Sequence, residues 1–245
     1  MIIFHQYGAR RTGTNYLQAL LEENYSNIMV LDNVVWKHEP SPSSAKFIER
    51  FIEDSNRHLS YSCAGRQELY EILYDKIITN QVISILNIKN PYAWIESMQR
   101  YTQNLYLQKS QELQTKYIFL DPKKPLDLQK ENIIELIESY NKRYKRWGET
   151  TQYVIRYEDV LRDHKSILQF FEKQYNLQRI HPELLNIKTG CDPVPVNLKY
   201  IDPDWDYKDY YLEKKYLKNL SPNVIEWITN TIDWTIFERY QYSAI

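Results

Sequence analysis

Two arginines lie inside a glycine-bounded loop near the start of the chain. The loop runs from Gly8 to Gly13 and contains Arg10 and Arg11. An apolar run over 2–7 precedes it, and a helical pattern of leucines follows it. Backbone N–H groups at the start of a helix are unpaired and lie at the positive end of its dipole, so such a loop binds anions. The spacing predicts a strand, a phosphate-binding loop and a helix.

The residues after the second glycine argue against ordinary triphosphate chemistry. In nucleotide loops of the form G-x-x-x-x-G, a lysine and then a serine or threonine come next, for the outer phosphates and magnesium. Here Thr14 and Asn15 occupy those positions. An ATPase, a GTPase or a kinase is therefore disfavoured. A solvated turn that happens to carry two arginines is the alternative interpretation of this loop.

A second strand-to-helix transition carries another basic residue. The apolar run 82–88 predicts a strand buried on both faces, and Lys89 follows it directly. Pro91 suits the first turn of a helix, which puts Ser97 nearly two turns into that helix. Lys89 and Ser97 are then placed to bind one anion together. A capping lysine and a surface serine are the alternative.

A histidine and a glutamate follow the second predicted strand, at 28–31. In open parallel sheets ligands lie beyond the carboxyl ends of the strands, where His38 and Glu39 are expected. Histidine titrates near neutral pH, so His38 suits a general base, with Glu39 as the alternative base. A structural or surface role is the other interpretation of His38.

The elements that must position these residues alternate between strand and helix. Besides the runs above, the sequence predicts a strand at 152–157 and several helices, namely a first one to about Tyr25 and others over 41–56, 66–79, 132–147 and 159–175. This alternation predicts an α/β fold with a central parallel sheet wrapped by helices, as one domain over 1–245.

Two further stretches complete the predicted organisation. Residues 104–130, interrupted by the Asp-Pro-Lys-Lys-Pro run at 121–125, predict a mobile surface segment that could act as a lid. The tail over 210–242 predicts two helices separated at 220–222, where a serine caps and a proline takes the first turn.

Composition narrows the classes of partner. The net charge of -1 gives no reason to propose binding to nucleic acid. The two cysteines, Cys63 and Cys191, have no partner at metal-ligand spacing, and no leader pattern precedes the first strand. No apolar run approaches the roughly 20 residues that a membrane span needs. We expect a cytoplasmic protein without a membrane span, of undetermined oligomeric state.

Three stretches, taken in order, resemble the sulfotransferases that use 3′-phosphoadenosine-5′-phosphosulfate (PAPS). Residues 8–17 look like their 5′-phosphosulfate loop, and 88–97 look like their 3′-phosphate motif. Residues 153–160 are similar to the strand and turn that follow in that family. The resemblance spans roughly 2–171 and is strongest to bacterial-type members with an Arg-Thr-Gly-Thr-Asn-Tyr-Leu loop, which are often presumed to be carbohydrate or cell-surface enzymes.

The resemblance implies a P-loop-like domain that moves a sulfuryl group from PAPS to an acceptor hydroxyl on a carbohydrate or another small molecule. It implies that Arg11 stabilises the bridging oxygen of the donor and that His38 takes the acceptor proton. The residues implied in donor binding are Arg10, Thr12, Gly13, Thr14, Asn15, Lys89 and Ser97. We expect no metal, because a sulfuryl group carries less negative charge than a phosphoryl group and the loop with its arginines can suffice.

Two positions depart from the family pattern. The family's catalytic lysine is Arg11 here, and the basic residue of the 3′-phosphate motif, most often arginine, is Lys89. Arginine keeps its charge but cannot donate a proton, and lysine gives up bidentate geometry. A nucleotide-binding module of the same fold without transferase activity is therefore the main alternative, with a small-molecule kinase as a third.

Overall fold

Residues 1–31, 75–76, 79, 81–107, 120–187 and 207–245 are described by the computed structural model. Their strands are β1 (Ile2–Gly8), β2 (Ile28–Val30), β3 (Val82–Ile88) and β4 (Tyr153–Arg156). Their α-helices are α1 (Thr14–Asn24), α2 (Pro91–Leu107), α3 (Lys130–Gly148), α4 (Tyr157–Tyr175), α5 (Tyr207–Leu212), α6 (Pro222–Thr231) and α7 (Trp234–Phe237). Short 3-10 helices lie at Leu126–Leu128, Lys215–Asn219 and Glu238–Tyr240.

The four strands form one parallel sheet in the order β2-β1-β3-β4. The two inner strands, β1 and β3, are buried along almost their whole length, as expected for strands covered by helices on both faces. Phe4 pairs with Ile83 and Gly8 pairs with Asn87, so both strands end at the same level. The segments that follow β1 and β3 therefore leave the sheet side by side.

The strand order reverses direction between β1 and β3. From β1 the chain passes through α1 to β2 on one side of β1, whereas β3 lies on its other side. In open parallel sheets such a reversal opens a crevice beyond the carboxyl ends of the two strands, and ligands bind there. The topology thus indicates that a ligand would bind beyond the ends of β1 and β3.

Helix α3 supplies the aromatic packing beneath this end of the sheet. Its buried side chains include Tyr140, Tyr144 and Trp147. Tyr140 stacks on Phe237 of α7 with ring centres 5.1 Å apart, and Trp147 meets Tyr7 of β1 edge to face at 5.8 Å. These contacts join the carboxyl-terminal helices, α3 and the sheet in one hydrophobic core.

The structure confirms the α/β class and the parallel sheet. The helices predicted at 132–147 and 159–175 are α3 and α4, each beginning two residues earlier than expected. The tail is divided further than predicted, into α5, α6, α7 and 3-10 turns, although Ser221 caps α6 by accepting from Val224 N–H as expected. The helix predicted over 41–56 and most of that over 66–79 lie outside the described residues.

Part of the predicted mobile segment is packed instead. Helix α2 runs on to Leu107, and 108–119 lie outside the described residues. Beyond them Leu120 is fully buried, and the buried amide of Gln129 donates to the carbonyl of Lys124 at 2.7 Å. Part of the segment 120–130 is therefore packed, because the side chain of Gln129 satisfies the turn from the buried side, and the mobility of the segment stays a prediction.

Among the described residues, none of the helices combines the length and the apolar character that crossing a membrane requires.

Candidate functional site

The loop between β1 and α1 requires glycine at both of its ends. Gly13 holds the N-cap position of α1 with φ of 88°, a left-handed value that glycine adopts without steric cost. A Cβ on Gly13 would overlap the ring of Tyr157. At the other end, a Cβ on Gly8 would lie 2.6 Å from the carbonyl oxygen of Asn87. Both glycines therefore let the loop approach neighbouring elements closely.

Arg11 shares the left-handed conformation, with φ of 67°. For a residue with a side chain such a value costs on the order of 1–3 kcal/mol and persists only where surrounding contacts impose it. Thr12, fully buried beside it, donates its hydroxyl to the carbonyl of Ala9 at 2.7 Å and closes the turn. The side chain of Thr12 thus holds the loop in shape, and its backbone N–H remains the group suited to a ligand.

Two aromatic residues, neither of which was predicted to belong to the site, hold the ends of β1 and β3. The hydroxyl of Tyr144 accepts from the N–H of Ala9 at 3.0 Å and donates to the carbonyl of Asn87 at 2.6 Å. Burial raises the pKa of Tyr144, so the phenol is neutral and able to do both. Tyr140, one turn earlier on α3, donates to the carbonyl of Lys89 at 3.0 Å.

The first loop is also tied to α2. The indole Nε1 of Trp94 donates to the carbonyl of Arg10 at 2.8 Å, and the Trp94 ring stacks on Tyr140 with ring centres 3.8 Å apart. The guanidinium of Arg11 lies 5.2 Å from the ring centre of Tyr101, also on α2. Arg11 is therefore held on the side of the loop that faces the second strand-to-helix transition.

The second transition places Lys89 in an aromatic enclosure. Lys89 is only 2% exposed, and its Nζ lies 3.7 Å from the ring centre of Tyr211 and 4.7 Å from that of Tyr157. Burial lowers the pKa of Lys89, and contact with Tyr211 acts in the opposite direction. This places a buried basic side chain at the end of β3, next to the loop after β1.

Ser97 and Arg100 share one face of α2, one turn apart. Ser97 is buried, which removes the alternative of a surface serine. Arg100 pairs with Glu96 at 2.7 Å and donates from Nη2 to the hydroxyl of Tyr211 at 2.7 Å. Convergence of Lys89 and Ser97 on one anion stays a prediction. The spacing of one helical turn between Ser97 and Arg100 is a signal in the sequence from which Arg100 could have been identified as a candidate site residue.

The remaining predicted residues fall into two groups. Thr14 is buried and Asn15 half-buried in the first turn of α1, as a role at the helix start requires. His38 and Glu39, the two candidate bases, lie outside the described residues.

The fully buried His5 in β1 does not take the place of His38 as a base, because burial lowers its pKa to about 3 and its ring stacks on Tyr7.

In the described part of the chain, no group of three or more His, Cys, Asp or Glu side chains is arranged to hold a metal ion. Metal independence stays a prediction. Comparisons of the chain with models of protein families, with curated proteins and with solved structures found no match. Function must therefore be argued from the geometry of the two loops.

Proposed function

We propose that this chain is a sulfotransferase of P-loop-like fold that moves a sulfuryl group from PAPS to an acceptor hydroxyl. One observation carries the proposal. Two strand-to-helix transitions, each ending in a helix start and each bearing basic side chains, leave β1 and β3 side by side where the strand order reverses. PAPS carries two separate anionic groups, a 5′-phosphosulfate and a 3′-phosphate, which match a pair of anion sites.

The first loop is assigned to the 5′-phosphosulfate. Its groups are the N–H donors at the start of α1, with Arg10, Thr12, Gly13, Thr14 and Asn15 as the binding residues. Arg11, held in a left-handed conformation beside α2, is assigned to the oxygen that bridges phosphorus and sulfur. A fixed cation there stabilises the charge that develops as the bridging bond breaks.

The second transition is assigned to the 3′-phosphate. Lys89 supplies a buried cation, and Ser97 supplies a buried hydroxyl in the helix that follows. A buried ammonium interacts more strongly with an anion than an exposed one, because water does not screen it. This site gives the protein a means to distinguish PAPS from nucleotides that lack a 3′-phosphate.

The reaction is an in-line displacement at sulfur. The acceptor oxygen forms a bond to sulfur as the bond from sulfur to the bridging oxygen breaks, and adenosine 3′,5′-bisphosphate leaves. We assign the acceptor proton to His38, with Glu39 as the alternative base. Positioning and electrostatic stabilisation carry most of such a transfer, so the proposal requires no metal. The acceptor is a small molecule or a glycan, and the proposed location is the cytoplasm.

Calorimetry tests the proposal. Adenosine 3′,5′-bisphosphate should bind without metal, and ATP with magnesium should bind far more weakly. Lys89→Ala and Ser97→Ala should each weaken adenosine 3′,5′-bisphosphate by roughly ten- to a hundredfold and leave adenosine 5′-phosphate nearly unaffected. Equal losses for the two nucleotides would refute the 3′-phosphate assignment.

An acceptor screen then separates the enzyme from a binding module. Purified protein is incubated with PAPS and a panel of sugars, phenols and lipid alcohols, and release of adenosine 3′,5′-bisphosphate is measured. Acceptor-dependent release supports the transferase. Tight binding of the nucleotide without release by any acceptor supports the module, and binding of ATP with magnesium above adenosine 3′,5′-bisphosphate supports a kinase.

A further inference from the structure

Two basic side chains, Lys89 and Arg100, contact Tyr211 beside β3. Nη2 of Arg100 donates to the hydroxyl of Tyr211 at 2.7 Å. Nζ of Lys89 lies over the same ring, 3.7 Å from its centre. Lys89 and Tyr211 are 2% and 3% exposed. The buried side chain of Tyr211 therefore lies in contact with both Lys89 and Arg100.

Two carboxylates, Glu96 and Glu158, lie near these side chains. Oε1 of Glu96 pairs with Nε of Arg100, on the same edge of the guanidinium as the Nη2 that contacts Tyr211. The two oxygens of Glu158 accept from the backbone N–H of Asn90 at 3.0 Å and from the hydroxyl of Tyr242 at 2.5 Å. Tyr211 contacts both basic side chains, Lys89 through its ring and Arg100 through its hydroxyl.

We propose that Arg100 is a ligand of the second anion site and that the Tyr211 hydroxyl is its internal occupant, which an incoming phosphate displaces. The inference rests on the proposed function for the identity of that phosphate, the 3′-phosphate of the donor. It assigns Arg100 a binding role and Tyr211 a gating role, neither of which the proposed function needed.

The chemistry of the two cations supports a joint site. An ammonium binds phosphate as a point charge, whereas a guanidinium offers a planar fork that matches two phosphate oxygens. Lys89 lacks that fork, and Arg100 supplies one from the same face of α2 as Ser97. The pair thus restores the bidentate geometry that lysine alone gives up.

The direction of the pKa shift of Tyr211 is that expected where negative charge is favoured. Burial raises the pKa of its phenol, but Lys89 and Arg100 together more than offset this, so the net shift is downward. A phosphate dianion carries more charge and more acceptor oxygens than a phenol, so the same two cations bind it more strongly. Displacement of Tyr211 costs the hydrogen bond from Arg100, which should weaken phosphate binding in the native protein.

The test is calorimetry on the full chain with three compounds, adenosine 3′,5′-bisphosphate, adenosine 5′-phosphate and inorganic phosphate. Tyr211→Phe keeps the ring and removes the occupant, so it should bind the bisphosphate about three- to tenfold more tightly than the native protein. Arg100→Gln should bind it roughly ten- to a hundredfold more weakly. Binding of adenosine 5′-phosphate should change in neither variant.

Two matched variants serve as controls. Tyr216→Phe removes a hydroxyl from a buried tyrosine whose ring lies 6.2 Å from that of Tyr211. Arg179→Gln removes an arginine that pairs with a carboxylate, Glu172, at 2.9 Å. Both should bind the bisphosphate as the native protein does.

Several outcomes would overturn the inference. Weaker binding by Tyr211→Phe would make the hydroxyl a ligand instead of an occupant, and unchanged binding in Arg100→Gln would remove Arg100 from the site. If Arg100→Gln fails to fold, Tyr211→Phe decides alone.

If neither nucleotide binds, but inorganic phosphate follows the expected order of the variants, the proposed function fails and the inference stands. If the bisphosphate binds equally to all variants, the inference fails and the proposed function stands.

Discussion

The indole N–H of Trp94 donates to the backbone carbonyl of Arg10 across 84 positions of sequence, at a distance of 2.8 Å. This bond joins the helix after β3 to the loop after β1, so the two proposed anion sites are mechanically connected. A ligand that contacts both loops therefore meets a preorganised pair, which reduces the entropy it must lose on binding.

Replacing Trp94 with phenylalanine should loosen this connection. The variant keeps an aromatic ring against Tyr140 but leaves the carbonyl of Arg10 without its donor. We expect a loss of about 1–3 kcal/mol in the free energy of unfolding by urea and a several-fold weaker affinity for adenosine 3′,5′-bisphosphate.

Trp234→Phe is the matched control for Trp94→Phe. The indole of Trp234 donates to the carbonyl of Thr229 at 2.9 Å, so this bond joins two residues of the carboxyl-terminal helices and touches neither loop carbonyl. It should lower the free energy of unfolding by a similar amount and leave nucleotide affinity unchanged. If both variants lost affinity equally, the bond from Trp94 to Arg10 would have no special part in binding.

Gly13→Ala should be severely destabilising. The left-handed backbone costs a side chain about 1–2 kcal/mol, and the added Cβ overlaps the Tyr157 ring. We expect a total loss above about 2 kcal/mol in thermal or chemical unfolding. Gly148→Ala is the comparison, because its Cβ meets only the hydroxyl end of Tyr240 and alanine favours a helix. If Gly13→Ala and Gly148→Ala lost the same free energy of unfolding, the backbone of Gly13 would not be constrained.

His5 should make the folded state sensitive to acid. Its pKa is about 3 in the folded protein against 6.5 in the unfolded chain, so the unfolded chain binds more protons between these values. Stability is therefore complete above pH 6.5 and falls as the pH drops toward 3. The contribution of His5 should shrink by about 2 kcal/mol between pH 7 and pH 5.

His5→Phe measures that contribution. Phenylalanine keeps a flat ring against Tyr7 and cannot take up a proton. Urea unfolding at pH 7 and pH 5 should show a smaller acid-induced loss in the variant than in the native protein. An identical loss in both proteins would mean that other groups account for the acid sensitivity.

Arg11→Ala should lower turnover far more than it weakens donor binding. Loss of one preorganised donor to a developing oxyanion costs about 10²–10³-fold in turnover, which steady-state kinetics with a sulfate acceptor would measure. Arg11→Lys should retain much of the activity, since it restores the residue usual in the family that the sequence resembles. A lysine variant as inactive as the alanine variant would make Arg11 a donor-binding residue that depends on bidentate contacts.

Local patterns in the sequence predicted the framework of this site. The apolar runs predicted β1 and β3, and Gly8 and Gly13 predicted the tight loop between β1 and α1. Strand ends, glycine turns and helix starts are short-range features, because adjacent residues decide them. For the same reason Lys89 and Ser97 could be placed on either side of the start of α2.

The contacts that fix the loops could not be predicted in this way. Tyr144 reaches Ala9 across 135 positions, and Arg100 reaches Tyr211 across 111. No spacing rule relates residues so far apart, since only the packed helices bring them together. The packing of Gln129 was missed for a related reason, because its amide satisfies the turn at 121–125 from the buried side.

The Tyr144 hydroxyl relays a hydrogen bond from the N–H of Ala9 to the carbonyl of Asn87, so it acts as a spacer between two strand ends. A direct bond would bring the strands closer, whereas an inserted oxygen keeps them apart where the crevice opens. The width of the crevice is therefore set by a residue of α3, beneath the sheet. A shift of that helix would alter the distance between the two proposed anion sites without any contact to the ligand.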